Sequence, residues 1–194
     1  MLAPAFNDPA LASQAVFRTV MEAMARPGLP RPLDSKLAAP PPLSAAAAAV
    51  ALTLLDYETP FWLDPALAAA GEVARWLTFH TGAPQTADSA AAAFAFIDEP
   101  LQMPAFDAFS PGSIEYPDRS TTLVVQVAAF DRGEALALAG PGIAGRRSFM
   151  ASPLPEDFRA RLAANRALFP RGIDLILASA HAVAALPRSL RLAT

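Results

Sequence analysis

One lysine, two histidines and no cysteine bound the chemistry open to this 194-residue chain. Without a thiolate it builds no disulfide, no cysteine-ligated zinc site and no ordinary iron–sulfur cluster of its own. The single lysine, Lys36, stands in a proline-rich stretch rather than at a strand end, which is the wrong setting for the internal Schiff base of a pyridoxal-phosphate enzyme. His80 and His181 are far apart and belong to no HExxH or HxH pair, so no metal site is expected. There is no GxSxG nucleophile turn, and the scattered serines define no triad. The expectation is a chain with no catalytic residue, cofactor or metal of its own.

Three strings still carry groups that can touch a ligand. Gly140-Pro141-Gly142-Ile143 can turn backbone amides toward an anion, but it matches neither a P-loop nor GxGxxG, and a plain turn is the first expectation. In Asn165-Arg166-Ala167-Leu168-Phe169-Pro170-Arg171-Gly172-Ile173-Asp174, the proline and glycine stop a helix and leave Arg171 at a corner, with Asp174 opening an apolar strand. A carboxylate there needs a cation, which Arg171 or Arg188 can supply; a structural ion pair is preferred over substrate contact. In Phe79-His80-Thr81-Gly82, His80 suits the last turn of a helix, where the dipole favours it, ahead of a ligand-contacting role. His80, Thr81, Arg171, Asp174 and Arg188 are therefore the candidate ligand or partner contacts. Tyr57, Phe61, Trp62 and Trp76 read as core aromatics, any exposed one being a possible anchor for another subunit.

The elements that must position these groups follow from periodicity and punctuation. Asp8 and Pro9 open a helix to Arg26, with Phe17, Val20, Met21 and Met24 on one face. Residues 29–42, with five prolines, suit a covering segment or loop rather than a helix or central strand. Ser44 caps a second helix through Leu55, and Pro60 to Leu63 is extended. Asp64-Pro65 starts a third helix that presents Val73, Trp76, Leu77 and His80 and ends at Gly82. Ala92–Ile97 reads as a buried strand, Glu99–Phe109 as a short helical piece and Thr121–Phe130 as a strong strand. Asp131-Arg132-Gly133 then turns into Glu134–Ala139 as a hairpin. Arg147–Ala151 is a further strand, and Pro155–Leu168 is a helix with Phe158, Leu162 and Ala163 inward. Gly172–Ala178 and a segment containing Val183–Leu186 complete the strands. The pattern gives a single α/β domain over residues 1–194, a sandwich with a mixed sheet.

Composition narrows the setting. Hydrophobic residues make up 54% and mean hydropathy is +0.31, yet alanine alone is about a quarter of the chain and adds little apolar area. The longest apolar run, Ala45–Leu55, is about half of the ~20 residues a membrane-spanning helix needs. No basic stretch precedes an apolar run at the N-terminus, so no signal peptide is expected and the expected compartment is the cytoplasm. A formal charge of −3 argues against a nucleic-acid partner.

Seven strings, in order, carry a resemblance: Phe17-Arg18 with Met24-Ala25-Arg26-Pro27-Gly28; Leu52-Thr53-Leu54-Leu55-Asp56 with Glu58-Thr59; Phe79-His80-Thr81-Gly82; Gly112 and Tyr116-Pro117 before Thr122-Leu123-Val124; Leu138-Ala139-Gly140-Pro141-Gly142-Ile143; Asn165 with Phe169-Pro170-Arg171-Gly172-Ile173-Asp174; and Leu186-Pro187-Arg188. Together they resemble the PhnH family, subunits of the bacterial carbon-phosphorus lyase system. The resemblance implies a three-layer α/β fold like that of the pyridoxal-phosphate-dependent transferases, without the cofactor. It also implies a core complex with PhnG-, PhnI- and PhnJ-type subunits, and a homodimer when isolated. In that system a phosphonate displaces adenine from ATP to give ribose 1-methylphosphonate 5-triphosphate, and a radical step later breaks the carbon–phosphorus bond. A chain without cysteine cannot hold the radical cluster, so the implied role is non-redox support of the first step. The rivals are a stand-alone small-molecule enzyme using Arg171, Asp174, Arg188 and His80, which requires those four to converge, and a degenerate transferase-like binder of a phosphorylated ligand.

Overall fold

The computed structural model describes residues 3–33 and 35–193; Asp34 of the proline-rich segment and the extreme termini lie outside the description. Helix α1 (Pro9–Ala25) starts as the sequence predicts, with Asp8 accepting from the Leu11 amide at 3.1 Å. Its inward face differs from the expected one: Val16, Val20 and Ala23 are buried, while Phe17 and Met21 are half exposed. The helix carries more apolar residues than one stripe can hide, and the small side chains take the close approach to α2 and the sheet. Helix α2 (Ala45–Leu54) is capped by Ser44, and its first six residues after Ala45 are fully buried. The expected third helix is two, α3 (Pro65–Ala69) and α4 (Glu72–Thr81), broken at Ala70-Gly71; Gly82 closes α4 with φ +73°.

Six strands form a mixed sheet in the order β1 (Arg31–Pro32), β8 (Ala182–Leu186), β7 (Asp174–Ala178), β4 (Thr122–Gln126), β3 (Phe94–Ile97), β2 (Phe61–Leu63). β2, β3, β4 and β7 are mutually parallel, and β8 and β1 add antiparallel pairs at one edge. Pro32 is tolerated in β1 because edge strands can spare an N–H. β5 (Leu136–Ala139), β6 (Arg147–Phe149) and β9 (Arg191–Leu192) form a separate antiparallel sheet. The predicted β4–β5 hairpin is therefore absent. Both flanks of β4 are taken by β3 and β7, so the Asp131–Gly133 turn carries the chain out of the main sheet rather than back along it.

Alternation sorts the strand side chains onto two cores. Phe96, Val124 and Ile176 pack with α1, α2 and α4, whereas Ala95, Ile97, Leu123, Val125, Leu175 and Leu177 pack with α5 (Phe158–Ala167) and the small sheet. The sheet is thus covered on both faces, an α/β architecture. Within α5, Phe158, Leu162 and Asn165 are buried and Ala163 is exposed, a correction to the expected inward set. The expected helical piece at 99–109 is two 3₁₀ turns, Pro100–Gln102 and Phe106–Ala108, separated by Pro104. Among the described residues no helix is long and apolar enough to cross a membrane.

Candidate functional site

In open α/β sheets, ligands usually enter where neighbouring strands send their outgoing loops to opposite faces. That point here lies between β2 and β3: the chain after β2 joins the helical core through Leu67, and the chain after β3 joins the opposite core through Met103 and Phe106. The crevice is closed from inside. Asp64, 3% exposed, accepts from the Leu67 amide at 2.9 Å with one oxygen and from the Asp98 and Glu99 amides at 2.8 and 2.9 Å with the other. One carboxylate thereby caps α3 and straps the β3 loop to the β2 loop.

The next position along the same end is filled by Gln126. Its Oε1 accepts from the Ser44 amide at 2.5 Å, and its Nε2 donates to the Pro42 carbonyl at 3.2 Å and to Oδ1 of Asp98. The Asp98 carboxyl is held above its ordinary pKa, chiefly by burial and then by the negative charges of Asp64 and Glu99, against the opposing hydrogen bond from Gln126. A shallow cavity of about 380 Å³ outside this group is lined by Ser44, Asp98, Gln126 and Ser179. Sequence reasoning took Asp64 only as a helix start and passed over Asp98 and Gln126. The usable signal was an aspartate directly after a short apolar strand, in both Leu63-Asp64-Pro65 and Ile97-Asp98-Glu99-Pro100.

Three of the predicted candidates, Arg171, Asp174 and Arg188, lie at the other end of the parallel strands. Asp174, the first residue of β7, is paired by Arg188 rather than Arg171: Nε of Arg188 lies 3.2 Å from both carboxylate oxygens, Nη2 reaches the same carboxylate, and the Arg188 backbone amide donates to Oδ1 at 2.8 Å. The remaining guanidinium donors go to the Pro117 carbonyl and Ser120 Oγ, and the two side chains are only 15% and 14% exposed. Beside them, Asn165 accepts from the Ile173 amide and donates to the Ile173 carbonyl, both at 2.9 Å. Gly172 (φ +128°) fits between, because a Cβ there would lie 2.8 Å from Asn165 Oδ1 and 3.3 Å from Arg188 Cβ. Its amide donates to the Pro111 carbonyl at 2.8 Å. Arg171 is half-buried at the same corner and forms no ion pair among the described residues.

His80 and Thr81 belong elsewhere. Nε2 of His80 lies 3.1 Å from the Ala3 carbonyl, which also accepts from Trp76 Nε1 at 2.7 Å, so the pair ties the N-terminal segment to α4. Thr81 donates to the Leu77 carbonyl at 2.7 Å and accepts from the Ala83 amide, closing the helix end. Neither shares a partner with Arg171, Asp174 or Arg188. Lys36 is exposed on the covering segment, beside a cavity of about 490 Å³ between that segment and the start of α1.

The strings that carry the resemblance mostly converge. Gly142 packs against the end of α1, where a Cβ would lie 2.1 Å from the Ala25 carbonyl; Arg147 donates to the Pro27 carbonyl at 2.6 Å, and the Gly28 amide donates to Ala185 at 3.0 Å. Residues 24–28, 138–143, 165–174, 186–188 and the 111–120 loop thus build one continuous corner.

These features define an α/β chain with a mixed sheet, an Asp64-strapped joint at one end of the parallel strands and an ion-paired corner at the opposite end. Residues 4–193 match the PhnH family, described as bacterial phosphonate metabolism protein, and the chain belongs to that family. It is 47% identical over 188 residues, 97% of this chain and 94% of the relative, to the alpha-D-ribose 1-methylphosphonate 5-triphosphate synthase subunit PhnH of Rhizobium meliloti (strain 1021). It is also 40% identical over 78 residues, 40% of each chain, to the putative C-P lyase subunit protein HtxG of Stutzerimonas stutzeri.

Proposed function

We propose that this chain is a non-redox subunit of a ribose 1-methylphosphonate 5-triphosphate synthase, acting in the cytoplasm within a carbon-phosphorus lyase core complex. In the reaction it supports, the bond from ribose C1 to adenine in ATP breaks, a phosphonate oxygen bonds to that carbon, and adenine leaves. Its partners are PhnG-, PhnI- and PhnJ-type subunits, the isolated chain is a homodimer, and its fold resembles that of the pyridoxal-phosphate-dependent transferases without the cofactor. The observation that carries this reading is the spending of polar groups: Asp64, Gln126, Asp174 and Arg188 all complete their bonds within the chain. The stand-alone enzyme needs His80 to join Arg171, Asp174 and Arg188, and His80 is instead bonded to Ala3. Near-complete coverage of a relative named as a synthase subunit supports the same conclusion.

The test is affinity purification of the tagged chain from phosphate-starved cells. The sibling subunits are expected to accompany it through mild washing. A clean isolated chain, or a purified chain that alone converts ATP and methylphosphonate, overturns the proposal.

A further inference from the structure

At the outer edge of the ion-paired corner lies a cavity of about 490 Å³, lined by Gly140, Pro141, Ile143, Gly145, Arg166, Ser189 and Arg191. Two of its seven walls are guanidinium-bearing, one bears a hydroxyl, and none is acidic. Arg166 is half-buried with its plane over the Phe169 ring, 4.4 Å from the centroid, and its Nη1 is buried without a hydrogen-bond partner. An unpartnered guanidinium nitrogen is costly and differs from neighbouring Arg188, each of whose three guanidinium nitrogens has a partner. The rest of the lining is the turn after β5, where Gly140 (φ +135°) and Gly145 (φ +74°) alternate with Pro141 and Ile143. Gly140 rests against the Ser189 carbonyl, so the turn and the strand carrying Arg191 are fixed to each other.

We infer that this cavity binds a phospho-oxyanion, a phosphonate or the phosphate chain of a nucleotide. Tetrahedral oxyanions present several acceptor oxygens, which suits a cavity whose lining holds two guanidinium side chains, Arg166 and Arg191, and the Ser189 hydroxyl with no carboxylate, and guanidinium binds such groups through paired donors. Asp174 does not oppose it, because that charge is matched by Arg188. The choice of phospho-oxyanion rests on the proposed role in the synthase; the cationic cavity stands without it.

The test titrates the full-length, isotope-labelled chain with inorganic triphosphate, ATP, methylphosphonate and, as control, sulfate. Saturable shifts of the Gly140–Gly145 amides with triphosphate and ATP assign the phosphate chain of a nucleotide, and shifts with methylphosphonate assign the phosphonate. Arg191→Gln, at an exposed position, is expected to keep the fold and weaken binding about tenfold or more, while Lys36→Gln leaves it unchanged. Arg166→Gln should weaken it similarly without changing the melting temperature. No shifts with any phospho-oxyanion, equal binding of sulfate as an adventitious ion only, or an Arg191→Gln variant that binds normally overturns the inference. Binding in the absence of co-purifying subunits would remove the synthase role and leave the site. Co-purification without binding would do the reverse.

Discussion

The two ends of the parallel strands are each built around an aspartate, buried at Asp64 and half-buried at Asp174, and the two are held differently. At the C-terminal end, Asp64 meets backbone amides only, beside a second carboxyl, Asp98, whose ionisation is disfavoured first by burial and then by the Asp64 charge. At the N-terminal end, Asp174 meets a guanidinium, and the surplus of arginines there leaves an open cationic cavity. The first end is an acidic joint beneath a shallow cavity, and the second is a neutralised core with a basic cavity at its edge.

Breaking the half-buried Asp174–Arg188 pair gives the largest effect. Asp174→Ala strands the Arg188 guanidinium in a site 15% exposed and is expected to cost about 3–5 kcal/mol, read as a fall of around 10 °C in the melting temperature. An unchanged melting temperature with loss of complex function would make the pair a substrate contact instead. Asp64→Ala should cost about 2–3 kcal/mol in denaturant titration, since it removes a helix cap and leaves the Asp98 and Glu99 amides without their acceptor. If the loss matches that of an ordinary surface cap, the strap between the β2 and β3 loops is not structural. Asn165→Ala, which removes both bonds to Ile173, should cost about 1–3 kcal/mol and loosen the Arg171–Asp174 corner in hydrogen exchange.

The smallest effect is one of pH. Because the folded Asp98 holds its proton more tightly than the unfolded chain does, the stability it contributes is complete below the unfolded pKa. That stability is lost as pH rises through the higher folded pKa. Asp98→Asn, whose amide oxygen can still accept from Gln126, is expected to flatten the stability profile across that interval and leave acid stability unchanged. A profile that keeps its slope would assign the acidic-end titration to another group.

Much of the scaffold was legible because it depends on neighbours in sequence. Asp8-Pro9, Ser44 and Asp64-Pro65 each place a side-chain acceptor beside free helix amides, and each starts a helix where expected. Phe17 and Met21 were misjudged because periodicity defines a stripe, and which side of an apolar-rich helix faces inward depends on what packs against it. The β4–β5 hairpin failed for a related reason: turn chemistry at Asp131–Gly133 is local, whereas the partners of β4 come from residues 94–97 and 174–178.

The site divides in the same way. That Asp174 needs a cation follows from a carboxylate at the start of an apolar strand, but the choice of Arg188 over Arg171 is made by the antiparallel return of β8, which brings its end alongside the start of β7. His80 kept its helix-end position and lost any shared site, because the N-terminal segment lies across α4. By itself the sequence determined what this chain lacks, namely thiolates, a suitably placed lysine and a nucleophile motif, together with its helix starts and its family, since these are properties of residue type and order. Only the tertiary structure decided that the usual crevice is filled by Asp64 and Gln126, and that Arg166, Ser189 and Arg191 surround one cavity. Those relations join residues that are distant along the chain and become neighbours only when the sheets form.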